Sequence, residues 1–271
     1  MRRETFHTPG TLTLDLRVPS GEIAIESVDG DETTVELDAT GASDAVRDLV
    51  DNARIELRQR GDGYEVLVDV PRRRGGLGLI FDRADFMLRV FAPHGADVQV
   101  STASADVDGR GRFGALRAEL ASGDLRFAEL SGFVDVKSAS GDVAVERIAG
   151  GAKVSTASGD MRIGSVEGEA TLRSASGDVS VDEANASVTV QTASGDQRLG
   201  SVSSGRVTMQ SASGDQTVGI RRGSRVRIDV RSMSGDTTSE LDIEDAPVLS
   251  DGPEVELRAT SMSGDVRILR A

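Results

Sequence analysis

The sequence predicts an all-β protein, a single-stranded β-solenoid (β-helix) of coils about 18 residues long with one short N-terminal helix. Three observations carry this expectation. An (Ala/Ser/Met)-Ser-Gly-Asp motif recurs with its glycine at Gly123, Gly141, Gly159, Gly177, Gly195, Gly214, Gly235 and Gly264, and Ala105 fills the same slot in STASADV. Counted from Ala105, the intervals are 18, 18, 18, 18, 18, 19, 21 and 29 residues. Second, apolar residues alternate in one phase through the repeats, as on strands with one buried face. Val134 and Val136 precede Gly141, and Val143, Val145 and Ile148 follow it; Val154, Met161, Ile163 and Val166 take the same places in the next unit. Third, 31 glycines, 6 prolines and 3% aromatic residues suit tight turns around a thin aliphatic core.

A one-residue slip would turn every buried side chain outward, so the constant phase implies coils stacked in register. Val136, Val154, Leu172 and Val190 are then expected in one interior column. A second turn falls half a repeat later, at Gly132, Gly150 and Gly168, with Ala186 in the equivalent place. Each coil is therefore two strands and two turns, flattened rather than triangular, with layers about 4.8 Å apart. The motif glycine supplies a positive φ. The following aspartates, Asp124, Asp142, Asp160, Asp178, Asp196, Asp215, Asp236 and Asp265, are expected to accept bonds from nearby backbone N–H groups. Serines before the turn, such as Ser138 and Ser140, fall on the inward phase, where stacked hydroxyls can satisfy one another.

Residues 1–100 form a less regular β region, containing cap and first coils, and residues 101–271 the regular solenoid. PSGEIAIES around Gly21 reads as a degenerate copy of the repeat. Residues 43–53 are the helix candidate: Ser43 is placed as the N-cap, and Val46, Leu49, Val50 and Ala53 form an apolar stripe suited to covering a sheet edge. Residues 237–256 read as one turn lengthened by an acidic segment that folds over the C-terminal coil. The last strand, 266–269, is flanked by Arg267 and Arg270, a device that discourages edge pairing.

Composition narrows function. The net charge of -14, from 45 acidic and 31 basic residues, repels nucleic acid and anionic lipid unless a local patch overrides it. Arg72, Arg73 and Arg74 make that patch; with residues 75–81 they offer a membrane or partner contact, against the favoured reading of an ordinary loop. Gly75, Gly76 and Gly78 lack the GK[ST] ending of a phosphate loop. There is no cysteine, no apolar run at the N-terminus of the kind a secretory signal needs, and no apolar stretch of about 18 residues, so a cytoplasmic protein without disulfides is expected. His7 and His94 show no acid or serine partner at a familiar spacing, and repeated identical aspartates supply neither a triad nor two unlike carboxylates in a cleft. The aspartate column, stacked at coil spacing, would attract a cation or cap turns; the glycine-rich lead of calcium solenoids is missing, which favours capping. Lys137 and Lys153 are the only lysines, too few for the cationic cluster of a polysaccharide-cleaving β-helix. No catalytic, cofactor-binding or metal-ligating residue is assigned, and no cofactor. The expected function is a non-catalytic binding or scaffold module for a protein or glycan, monomeric or weakly oligomeric; the alternatives are a self-assembling cytoskeletal (bactofilin-like) solenoid and, less favoured, a polysaccharide-active enzyme.

The serial SASGDV and TASGDV units, the strand-rich start, the short helix near residue 45 and the segment VGIRRGSRVRIDVRSMSGD resemble the bacterial putative-adhesin β-strand-repeat family, the toast-rack domain. The resemblance covers essentially the whole chain, most specifically residues 101–271, and is to forms found in high-GC Gram-positive bacteria. It implies a β-solenoid, links by name and association to adhesion and envelope stress, and no catalytic residues to carry over.

Overall fold

A computed structural model describes residues 1–40, 44–71, 85–241 and 252–271. Ser43, Arg72 to Arg74 with residues 75–81, and most of the acidic segment (242–251) lie outside the described residues. The chain divides into two compact units, residues 1–132 with 136–140, and residues 133–135 with 141–271. Both are β-solenoid, and the helix Asp44–Asp51 is the one helix among the described residues.

In the second unit every coil contributes one strand to each of two parallel ladders. Ala152–Ser158, Ala170–Ser176, Val188–Ser194 and Gly205–Ser213 make the first, in a register that sets Val154 beside Leu172, Leu172 beside Val190 and Val190 beside Met209. Val143–Ile148, Met161–Val166, Val179–Ala184, Gln197–Val202 and Gln216–Ile220 make the second. Val154, Leu172 and Val190 are fully buried in one column, as the phase of the repeat requires, and Val136 is fully buried in the first unit. Burying a side chain of this size stabilises by about 1.5–3 kcal/mol, and each coil adds several.

The motif aspartate bonds to the next coil rather than within its own turn. Asp160 Oδ1 accepts the N–H of Asp178 (3.0 Å), Asp178 Oδ1 that of Asp196 (2.8 Å), and Asp196 Oδ1 that of Asp215 (2.8 Å). In the first unit Asp106 accepts from Asp124 in the same way (2.9 Å). The carboxylates thus continue the backbone ladder around the corner, where strand pairing lapses.

The serine expectation needs correction. Ser138, Thr156 and Ser174 are buried, but Ser140, Ser158 and Ser176 are exposed. Ser138 Oγ donates to the Ser140 carbonyl (3.0 Å) and Thr156 Oγ1 to that of Ser158 (2.8 Å). The alternation breaks before the glycine whether or not this local bond is made, since Ser174 Oγ has no partner among the described residues and Ser176 is exposed all the same. Of the expected contacts between coils, Thr192 Oγ1 does donate to Ser211 Oγ (3.3 Å).

The C-terminal coils do not stack in chain order. Glu254–Ser263 pairs with Gly205–Ser213 on one side and Arg225–Ser232 on the other, and Val266–Arg270 lies between Gln216–Ile220 and Thr237–Ser239. The last coil is therefore inserted beneath the one that precedes it in sequence. Two expectations fall together: 237–256 is not a single lengthened turn, and the last strand is interior, so Arg267 and Arg270 do not guard an edge. The carboxylate ladder follows the spatial order, with Asp215 Oδ1 accepting from Asp265 (2.9 Å) and Asp265 Oδ1 from Asp236 (3.0 Å).

In the first unit, Leu12–Val28 forms a full coil, paired in parallel with Asp97–Phe113 on one side and with Gly63–Asp69 and Asp85–Pro93 on the other. Gly21 lies opposite Ala105, so PSGEIAIES is a true copy of the repeat. Beyond it pairing becomes antiparallel: Glu32–Thr40 joins Asp85–Pro93 to Arg2–His7, and Arg54–Arg60 folds back on Gly63–Asp69. The helix packs against Glu32–Thr40 with Val46 and Val50 buried, and Ala53 is buried just past its end. Its last turn carries no basic residue of its own. Arg2 supplies one, donating to the carbonyls of Asp51 (3.2 Å) and Ala53 (2.6 Å), where the helix dipole and orphan carbonyls favour a cation.

Candidate functional site

Outward residues on the first ladder of the second unit form two columns across four successive coils. One is Lys153, Thr171, Thr189 and Thr208; the other is Ser155, Arg173, Gln191 and Gln210. No carboxylate occurs in either column, although the chain carries 45 acidic residues. Among the described residues, neither Lys153 nor Arg173 forms an ion pair with a carboxylate, and the bond that Arg173 makes goes to Gln191. Arg173 Nε donates to Gln191 Oε1 (2.8 Å), and Gln191 Nε2 donates to Gln210 Oε1 (2.9 Å), so one polar wire crosses three coils. The wire forms one wall of a shallow groove of about 420 Å³, with Ser174, Thr192 and Ser211 beneath it and Ala193 and Ala212 opposite. The alanines are what the Ala-Ser-Gly-Asp motif contributes: a side chain too small to close the corner.

The corresponding groove of the first unit, about 550 Å³, is lined by Ser101, Glu119, Lys137 and Ala139 among others. There the cation is neutralised, Lys137 Nζ lying 3.5 Å from Glu119. The two grooves occupy equivalent places in the repeat and differ in charge.

The aspartate column is occupied with its own backbone and with arginines. Arg162 donates to Asp160 Oδ2 (2.8 Å), Arg126 to Asp124 (2.8 Å) and Arg267 to Asp265 (3.0 Å). Among the described residues no group of three or more His, Asp or Glu side chains could hold a metal ion. Nor is any helix among them long and apolar enough to cross a membrane.

His94 departs from expectation, because it does have serine and acid partners. Its Nδ1 lies 2.8 Å from Ser27 Oγ and its Nε2 3.1 Å from Asp29 Oδ1. Ser27 and Asp29 are 67 and 65 residues away in sequence, beyond any motif spacing. Ser27 Oγ also accepts the N–H of Arg112 (2.8 Å), and the backbone of Gly111 passes directly over it. A Cβ at Gly111 would meet the hydroxyl, so that strand crowds it, and the set clips three chain segments together. His7, too, has an acid nearby, Asp31 at 3.7 Å, with both side chains exposed.

Among the described residues of the first unit, three ionisable groups depart from their ordinary range. Arg17 is held up by Asp15, which takes two bonds from it (3.0 and 2.6 Å). Asp38 is held down by the N–H of Ala39 and the terminal ammonium, and Glu56 by Arg54 and Arg58. Each shift arises from a partner that favours the charged form, not from desolvation in a cleft.

Ladder, turn and surface together define a parallel β-solenoid repeat protein. The chain belongs to the Toastrack DUF4097 family, whose model matches residues 13–269. No curated protein sequence matches it. Similar solved structures include a putative adhesin of Bacteroides fragilis (9% identity, TM-score 0.46, covering 99% of this chain and 96% of that one) and a putative adhesin of Parabacteroides distasonis (12%, 0.45, 98% and 96%). A putative cell adhesion protein of Clostridium sporogenes is similar over 100% of this chain and 99% of its own, at 10% identity and TM-score 0.28.

Proposed function

We propose that the chain is a non-catalytic toast-rack module that binds a protein or glycan across the outward face of Ala152–Ser158 to Gly205–Ser213. The carrying observation is a two-column field of hydroxyls, amides and two cations without ion pairs among the described residues, free of carboxylates over four coils, on a chain of net charge -14. The middle strands beneath it, Ala170–Ser176 and Val188–Ser194, are paired on both sides, which holds the field rigid and preorganises its recognition groups. The Ser27–His94–Asp29 set argues little for catalysis, because the Gly111 strand crowds its hydroxyl, which is already spent on His94 and the N–H of Arg112. The test places a photo-crosslinking residue at Thr189 on the face or at Ser180 on the opposite ladder, in cells making the full chain. Reproducible adducts from Thr189 and none from Ser180 are expected; the same pattern at both positions, or none at either, removes the reading.

One observation favours a second reading, end-to-end self-association. Arg225–Ser232 pairs on one side only among the described residues, and it leaves Ile228 41% exposed where its ladder neighbour Leu257 is fully buried. Sedimentation velocity across a wide concentration range decides this: a species of constant monomer mass excludes it.

A further inference from the structure

We propose that the carboxylate-free face binds an extended acidic glycan, laid across the strands along the groove with about one sugar ring per coil. This rests on the binding-module reading and names the ligand class. Four features select the class. First, charge: Lys153 and Arg173 are exposed cations with no acidic partner among the described residues, and Arg173 uses its Nε on Gln191, which leaves both Nη groups for a carboxylate or sulfate. Second, spacing: equivalent groups recur once per layer, about every 4.8 Å, whereas an extended peptide advances about 3.3 Å per residue and falls out of step. A pyranose ring linked through opposite positions is about as long as one layer is thick. Third, the backbone beneath the face is fully engaged in the ladder, so a peptide strand finds no edge to extend. Fourth, no aromatic ring lines the groove. Neutral sugars are commonly held by stacking on rings; here cations, amides and threonine hydroxyls must carry recognition, which suits a charged, hydroxyl-rich chain.

The orientation follows. Acidic groups sit on Arg173 in the groove wall and on Lys153 one coil earlier in the neighbouring column, outside the groove lining; ring hydroxyls bond the outer edges of Gln191 and Gln210 and the threonines beside them, and Ala193 and Ala212 leave width for the ring. Because the cations are solvent-exposed, each contact is weak and screened by salt, and affinity accumulates with the number of coils spanned.

The test titrates the full chain with oligogalacturonates of increasing length at low and at physiological salt. Affinity is expected to rise with length until the four coils are spanned and to fall with salt. Arg173→Ala and Lys153→Ala should each weaken it about tenfold, near 1.4 kcal/mol, while Arg198→Ala on the opposite ladder leaves it unchanged. All three side chains are exposed, so folding, checked by circular dichroism, is preserved. No binding at any length, or binding indifferent to Arg173→Ala, overturns the proposal. Equal binding of poly-glutamate of matched length also overturns it, since the face would then read charge alone. In each case reproducible crosslinking at Thr189 would keep the binding-module reading intact, so the two can fail separately.

Discussion

Gly177 and Gly30 adopt nearly the same backbone angle, φ of +124° and +120°, yet they stand in different surroundings. A Cβ at Gly30 meets nothing within 4 Å, whereas one at Gly177 is driven into the carbonyl oxygen of Gly159 in the coil below. Positive φ alone costs a non-glycine residue about 1 kcal/mol or somewhat more; the clash adds to it, because that carbonyl is held in a stacked layer and cannot retreat. Gly30→Ala should therefore destabilise by about 1 kcal/mol and Gly177→Ala by about 3 kcal/mol or more, read from urea unfolding midpoints. Equal losses would show that turn conformation, not coil spacing, demands the glycine. The repeat made the need for glycine legible, but not this second cause, which depends on which backbone lies beneath. The same holds for Asp178, whose turn position is plain in sequence while its bond to the N–H of Asp196 is a property of stacking. His94, Ser27 and Asp29 were illegible for a simpler reason: three chain segments bring them together, and none carries a motif.

Within a coil, the phase of the strands holds even where the inward residue is polar, but it does not show how such a residue is satisfied. Gln197 and Gln216 occupy the inward column of Val143, Met161 and Val179 and are 1% and 0% exposed. Gln197 Nε2 donates to Thr192 Oγ1 (2.8 Å) and to the Gln210 carbonyl (2.6 Å), bracing one ladder against the other. Gln216 Nε2 makes one longer bond, to the Thr260 carbonyl (3.1 Å), and both Oε1 atoms are buried without a partner. A buried unpartnered acceptor costs about 1–3 kcal/mol. Gln216→Met, which restores the residue type found at Met161, should raise stability by about 1 kcal/mol, while Gln197→Met, losing two bonds, should gain nothing or lose. Thermal melts of the two variants check this, and a Gln216→Met protein that melts earlier than the parent refutes it. Glycines on the second ladder have a related logic. Gly164 packs on the carbonyl of Glu146, and Gly200 on that of Asp182. The registers omit these positions, and from Glu146 through Gly164 and Asp182 to Gly200 a glycine alternates with an acid, until Gly219 packs on Gly200.

At the scale of the whole chain, the order of the C-terminal coils is settled by charge as much as by hydrophobic phase. Inward residues are interchangeable there: Val207, Leu257 and Ile228 share one column and would pack in either order. Outward residues are not, because the register aligns Arg206, Glu256 and Arg227. Had the coil of Arg225–Ser232 stacked directly on Gly205–Ser213, Arg206 would face Arg227; inserting Glu254–Ser263 places Glu256 between them, 3.0 Å from Arg206. Asp229 likewise lies 3.7 Å from Arg258. Exposed pairs contribute little singly, up to about 1 kcal/mol each, but here they choose between two otherwise equal packings, and like charges set directly opposite oppose the alternative. Motif spacing could not show this, since lengths of 21 and 29 residues read only as longer turns. The interior position of the final strand has a measurable consequence. Amides of Val266–Arg270 should exchange with solvent as slowly as those of Gln197–Val202, and amides of Arg225–Ser232, paired on one side among the described residues, should exchange first. Glu256→Arg should narrow the difference by destabilising the inserted layer, by about 1 kcal/mol. If Val266–Arg270 instead exchanges fastest, as a chain terminus at a solenoid end would, the coils stack in sequence order and the inserted topology is wrong.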